Sequence, residues 1–99
     1  MVFDVSKVSG IGDFDTKDEK ERSLFVVNEK VFLVVNKNTI EVRCDCELAR
    51  LLQEKYETVM NSRYFGRGGI EIVMSGQLDE SEIEDLVRLS YNLTAKTEE

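Results

Sequence analysis

Two short apolar runs near the middle of the chain constrain its fold more than any other feature. Residues 24–27 read LFVV and residues 31–35 read VFLVV, with a polar segment at residues 28–30 between them. Both runs are short and rich in β-branched and aromatic residues, which favours strands over a buried helix. The polar segment between them predicts a turn, so we expect the two strands to pair as an antiparallel hairpin.

Two further segments alternate between apolar and polar residues, which predicts two more strands. These segments are residues 39–44 and residues 70–74. In the first of them Ile40, Val42 and Cys44 share one face, and Glu41 lies on the opposite face. We therefore expect one face of this strand to pack in the core and the face that carries Glu41 to contact water.

Two helix starts are encoded by capping signals. Asp45 is placed to accept the free N–H groups of a helix that runs to about Tyr56. Asp79 and Glu82 form a capping box at the start of a second helix, which we expect to fray near residue 95. Residues 57–69 show no apolar period and are expected to form a loop.

Composition and length bound the class of protein. With 99 residues, 41% of them hydrophobic, the chain is expected to be a single domain, with an irregular segment at residues 1–22 and a core at residues 23–95. No segment is apolar for the ~20 residues that a membrane span needs. No secretory signal is recognised, so we expect a cytoplasmic protein with reduced cysteines. The predicted fold class is α+β, an antiparallel sheet of about four strands with two helices packed on one side.

The most conspicuous motif lies at residues 61–69, which read NSRYFGRGG. The net charge of the chain is −7, yet residues 30–67 carry 7 basic and 5 acidic side chains. Arg63, Tyr64, Phe65 and Arg67 are therefore candidates for contacts with nucleic acid or another anion, because arginines bind phosphates and aromatic rings stack on bases. The alternative is structural: an aromatic residue plugs the core, the arginines pair with carboxylates, and the glycines allow a tight turn.

The composition gives little support for a metal-binding site or a catalytic site. Cys44 and Cys46 flank the predicted helix start and are weak candidates for a soft metal ion, but the chain has no histidine and no further cysteine. No nucleophile has an evident activating partner. The sequence therefore predicts a protein that is not an enzyme and that uses no cofactor.

Several short motifs resemble the MmcQ/YjbR family, with the TfoX N-terminal domain as a more distant relative. Residues 41–45 (EVRCD) followed by ELA at residues 47–49 look like the family's strand and helix start. Residues 76–82 (GQLDESE) and residues 89–93 (LSYNL) look like the turn into its last helix and the end of that helix. The resemblance covers about residues 24–94. It implies a frataxin-like or double-wing fold, and it implies DNA binding, a property often ascribed to the family.

The chain also departs from the pattern of that family. The family usually begins with a helix, whereas residues 1–22 do not look helical, and a cluster of Lys, His and Trp in the family is replaced here by Arg63 and its neighbours. Two hypotheses follow. The first is a weak nucleic-acid-binding or regulatory module that uses the loop from Arg63 to Gly69. The second is a protein-interaction or self-associating, homodimeric domain whose uncovered apolar surface packs against a partner.

Overall fold

Six antiparallel strands form one sheet in the computed structural model, which describes residue 5, residues 8–74 and residues 76–96. The strands are β1 (Asp15–Asp18), β2 (Ser23–Val27), β3 (Lys30–Val35), β4 (Thr39–Arg43), β5 (Val59–Ser62) and β6 (Gly66–Val73), and the helices are α1 (Cys46–Lys55) and α2 (Glu80–Lys96). The strand order is β1-β2-β3-β4-β6-β5. The predicted α+β class is confirmed, with six strands in the sheet where about four were expected.

The predicted hairpin is formed by β2 and β3. Val27 pairs with Lys30, so the turn consists of Asn28 and Glu29. Both turn residues have positive φ angles, 52° and 67°, which match the twist of a tight two-residue hairpin turn. Local sequence therefore determines the first pairing of the sheet.

The two strands at the edges of the sheet were not predicted. β1 lies inside the segment expected to be irregular, and all four of its residues are exposed, so it carries no apolar alternation that would reveal it. β5 and the first half of β6 lie in the stretch at residues 57–69 that was predicted as a loop. That prediction was wrong because backbone hydrogen bonds between β5 and β6 make these segments extended. Such pairing does not require apolar residues at alternate positions, so it left no period in the sequence.

The N-terminal segment is held against α2. Arg88 Nε donates a hydrogen bond to the Ser9 carbonyl oxygen at 2.6 Å, and the Tyr91 hydroxyl donates to the Asp13 carbonyl oxygen at 3.0 Å. Val5 and Val8 are buried in the core. The segment that was expected to be irregular is therefore packed on the core at these two valines, and residues 1–4, 6 and 7 lie outside the described residues.

Both predicted helix starts are confirmed. Asp45 Oδ1 accepts the Leu48 N–H at 2.8 Å and caps α1. Asp79 and Glu82 form the reciprocal pair of a capping box, with distances of 3.1 and 2.9 Å. No helix in the described part of the chain is long and apolar enough to cross a membrane.

One face of the sheet, here called the helix face, carries both helices. The cross-strand pairs put Leu33, Val42 and Ile70 in one row, and all three are fully buried. α2 packs over β2, β3 and β4, and α1 packs over β5 and β6. The prediction that both helices lie on one side is confirmed, and no helix among the described residues lies over the opposite face, here called the open face.

Candidate functional site

Two buried glutamates lie next to each other on the open face. Glu41 of β4 and Glu71 of β6 are directly paired across the strands, and only 2% and 4% of their surfaces are exposed. The prediction that Glu41 contacts water was therefore wrong. Its side of the strand is covered by the three-residue turn between β5 and β6, residues 63–65, which we call the β5–β6 loop.

The Glu41 carboxylate anchors this loop. Its Oε1 accepts hydrogen bonds from the Ser62 hydroxyl at 2.7 Å and from the Tyr64 backbone N–H at 2.8 Å. Its Oε2 accepts from Asn36 Nδ2 at 2.9 Å. Burial by itself raises the pKa of Glu41, but these three donors and the nearby Arg63 outweigh it and hold the pKa below its ordinary value. Glu41 is therefore an ionised group in the fold at neutral pH.

Glu71 is paired with Arg63. Arg63 Nε and Nη2 donate to the two carboxylate oxygens of Glu71 at 3.0 and 2.8 Å, and the Thr39 hydroxyl donates at 2.7 Å. This bidentate geometry is the one that best matches a guanidinium to a carboxylate. The Arg63 side chain is nevertheless 76% exposed, so it neutralises Glu71 from the solvent side and keeps Nη1 free of that ion pair.

The two aromatic residues of the β5–β6 loop have different environments. Phe65 packs directly over Gly69, because a side-chain carbon at Gly69 would lie 2.8 Å from Phe65 Cβ and 2.5 Å from the Val42 carbonyl oxygen. The Arg43 guanidinium lies 4.8 Å from the centre of the Phe65 ring. Phe65 is therefore a half-buried packing residue that covers a strand glycine, and it does not belong to the core cluster.

Tyr64 faces outward. The residue is 40% exposed, and the Arg22 guanidinium lies 5.2 Å from the centre of its ring. Gly66, which follows the loop, has a φ of +64°, a conformation that glycine adopts without strain. This glycine closes the three-residue turn that carries Tyr64, since it pairs with Ser62.

Arg67 is separated from the other candidate residues. It lines a second groove beside α1, where its carbonyl oxygen accepts a hydrogen bond from the Cys46 thiol at 3.4 Å. Cys44 points into the core, and burial raises the pKa of its thiol to about 11. The two cysteines thus lie in different environments, and no group of three metal-ligating side chains occurs among the residues that the structure describes.

A cleft of about 1100 Å³ lies beside Tyr64 on the open face, and we call it the Tyr64 cleft. Its walls come from the β1–β2 turn, the β3–β4 turn and the β5–β6 loop. It is lined by Glu19, Lys20, Glu21, Arg22, Asn36, Lys37, Glu41, Arg63 and Tyr64. Four of these nine residues are cationic and three are acidic, so the fold gathers cations that are far apart in the sequence.

The sequence motif therefore predicted only some of the residues that line the Tyr64 cleft. Arg63 and Tyr64 line the cleft, whereas Phe65 and Arg67 do not. Lys20, Arg22 and Lys37 were missed because they lie in turns that only the sheet brings together. Glu41 and Glu71 gave a usable signal, because each is a lone carboxylate flanked by β-branched residues in a predicted strand.

Comparisons with known proteins support the fold and leave the family open. No protein-family model matches the chain, and no curated protein matches it. Among solved structures, the chain is similar to that of a protein from Pseudomonas syringae, with 18% sequence identity and a TM-score of 0.69. The match covers 82% of this chain and 86% of the other. At this identity the likeness shows the shared α+β fold, and the resemblance to the MmcQ/YjbR family stays a prediction.

Proposed function

We propose that the protein is a non-enzymatic, cytoplasmic binding module of the MmcQ/YjbR type that binds single-stranded nucleic acid weakly in the Tyr64 cleft. The observation that carries the proposal is the convergence of Lys20, Arg22, Lys37 and Arg63 around one exposed aromatic ring. Proteins that bind single strands combine such cations with aromatic rings, because the cations contact phosphates and the rings stack on bases of any sequence.

The cations of the cleft keep hydrogen-bond donors for a ligand. Arg63 uses Nε and Nη2 for Glu71, and Arg22 uses Nε for Glu19, so the remaining guanidinium nitrogens are outside these ion pairs. Within the described part of the chain, Lys20 and Lys37 make no ion pair. A phosphate group in the cleft therefore does not have to break an existing contact to bind these side chains.

The same geometry limits the affinity. Three carboxylates line the cleft with the four cations, and the net charge of −7 slows the approach of a polyanion. We expect contacts with about two to four phosphates, for which the affinity for a single strand falls roughly 7- to 50-fold between 50 and 200 mM salt. A tight duplex-binding protein has a much steeper dependence on salt.

The test is fluorescence anisotropy with a labelled oligothymidylate at several salt concentrations. Lys20→Glu/Lys37→Glu is expected to abolish binding, and Tyr64→Leu is expected to weaken it at every salt concentration without changing the salt slope. The matched control is Arg50→Glu/Arg67→Glu, which makes the same change in charge in the second groove beside α1.

The outcome of the control decides between the cleft and a general charge effect. Binding through the Tyr64 cleft requires the control variant to keep most of its affinity, reduced only by the more negative net charge. If both double variants lose binding equally, or if the wild-type protein does not bind the oligonucleotide at 50 mM salt or below, the proposal is wrong.

A further inference from the structure

Helix α2 carries an apolar stripe that begins beside the core at Leu86 and continues onto exposed helix surface. Leu86, Leu89 and Leu93 follow one another at spacings of three and four residues, so they lie along one side of the helix. Leu86 is half-buried, whereas Leu89 is 37% exposed and Leu93 is 40% exposed. Isolated exposed leucines are ordinary on a protein surface, but a row of them at this spacing is the pattern of a helix seam.

The stripe ends in opposite charges. Glu82 lies four residues before Leu86, and Lys96 lies three residues after Leu93, so both continue the alternation of four and three residues. Glu82 and Lys96 are each seven residues from Leu89, which is therefore the midpoint of the stripe. The distance between the two ends along the helix is about 21 Å.

We infer that the stripe is an interface between two copies of this chain, with their α2 helices antiparallel and crossing at Leu89. A two-fold axis at Leu89 sets Glu82 of each copy against Lys96 of the other, so the leucine seam is closed by an ion pair at both ends. A parallel arrangement sets Glu82 against Glu82 and is repulsive. The charge pattern therefore favours a second copy of α2 as the partner of the stripe, in the antiparallel orientation.

The neighbouring helix α1 also exposes a large apolar side chain. Leu51 of α1 is 52% exposed, the highest value among the large apolar residues that the structure describes, and α1 lies on the same face of the sheet as α2. The Tyr56 hydroxyl donates to Glu82 at 3.3 Å and thus links the end of α1 to the start of the stripe. The Tyr64 cleft lies on the open face, so the interface and the proposed nucleic-acid site can be tested separately.

The first test is sedimentation velocity over concentrations from micromolar to millimolar at physiological salt. The wild-type protein is expected to show a reversible dimer, and Leu89→Lys is expected to be monomeric at every concentration. Met60→Lys is the matched control, because Met60 is 40% exposed but lies on the open face. Circular dichroism of both variants checks that they are folded.

The second test determines the direction of the helices. Lys96→Glu is expected to weaken the dimer, because it sets two carboxylates against each other at both ends. Glu82→Gln keeps the capping box, which accepts Glu or Gln at this position. It is expected to weaken the wild-type dimer but to strengthen the Lys96→Glu dimer. Each change should be about two- to thirty-fold, because a dimer contains two such pairs and one exposed pair changes an association constant about 1.4- to 5-fold.

Three results would overturn the inference. The first is a wild-type chain that stays monomeric at millimolar concentration, which would leave the stripe to a different partner. The second is a loss of the dimer in Met60→Lys as large as in Leu89→Lys. The third is an effect of Glu82→Gln with the same sign in both backgrounds, since that would mean that Glu82 and Lys96 do not meet across the interface.

Discussion

The buried carboxylate of Glu41 accepts three hydrogen bonds on the open face, and Glu41→Gln tests its role. The glutamine keeps a carbonyl oxygen that can accept from Ser62 and Tyr64, but its amide group then faces the Asn36 amide, 2.9 Å from the replaced oxygen. Asn36 cannot turn over freely, because the same Nδ2 also donates to Thr39 at 3.0 Å. The substitution therefore removes one hydrogen bond and weakens two others by removing the charge.

The expected cost follows from the strength of those bonds. A hydrogen bond to a charged group contributes about 1.5 to 3 kcal/mol and a neutral one about 1 kcal/mol, so one lost bond and two weakened bonds should lower the free energy of unfolding by at least about 2.5 kcal/mol. Relief of repulsion with Glu71 acts in the opposite direction. It is the smaller effect, because the pKa of Glu41 is lowered and the charged form is therefore the one that the fold stabilises.

Urea denaturation followed by circular dichroism measures this difference. At about 2 kcal/mol per M of urea, the midpoint of Glu41→Gln should fall by at least roughly 1 M at neutral pH. Glu21→Gln is the matched control, because Glu21 is exposed at the rim of the same cleft and should leave the midpoint unchanged.

The pH dependence gives an independent check. Because the folded-state pKa of Glu41 lies below the ordinary value of 4.5, its contribution is complete above that value and is lost as the pH falls through the folded-state pKa. The gap between the wild-type protein and Glu41→Gln should therefore close in acid below about pH 4.5. Equal midpoints at neutral pH, or a gap that does not close in acid, would refute the argument that this carboxylate anchors the β5–β6 loop.

Two further substitutions test the packing on each side of the sheet. Gly69→Ala should lower the free energy of unfolding by about 1 to 3 kcal/mol in a urea titration, because its new carbon meets Phe65 and a backbone oxygen at less than 3 Å. Gly68→Ala, whose nearest neighbouring atom would lie at 3.7 Å, should leave it nearly unchanged. Ser90→Ala should lower the free energy of unfolding by about 1 to 3 kcal/mol and therefore lower the thermal midpoint. The buried Ser90 hydroxyl accepts from the Arg43 N–H at 2.8 Å and donates to the Phe32 carbonyl oxygen at 2.6 Å, and the substitution removes both hydrogen bonds. An unchanged midpoint for either Gly69→Ala or Ser90→Ala would contradict the contacts described above.

The central strands and both helices could be predicted because their signals are local. The turn at Asn28 and Glu29, the cap at Asp45 and the capping box at Asp79 each depend on residues within a few positions of one another. The α+β class follows from the order of these elements. In each case the free energy that selects the conformation comes from contacts inside the segment itself.

The edge strands and the candidate site could not be predicted in the same way. β1 and β5 become strands only because a neighbouring strand offers hydrogen bonds, and this pairing leaves no apolar period in the sequence. The arginines of the motif also looked alike in sequence. Pairing with Glu71 puts Arg63 on the open face, whereas Arg67 lies in a groove beside α1.

The sequence by itself determined the class of fold, the strands β2, β3 and β4, the second half of β6 and the starts of both helices, because propensity, capping and periodicity act over short distances. Only the tertiary structure decided which polar residues from different strands and turns meet. The pairing of β4 with β6 set Glu41 against Glu71, and these two carboxylates then required donors from the β5–β6 loop and from Arg63. A buried carboxylate costs free energy unless it is paired with donors, and Glu41 is buried only when the sheet has formed. The position of the β5–β6 loop therefore depends on a contact between strands that are distant in the sequence.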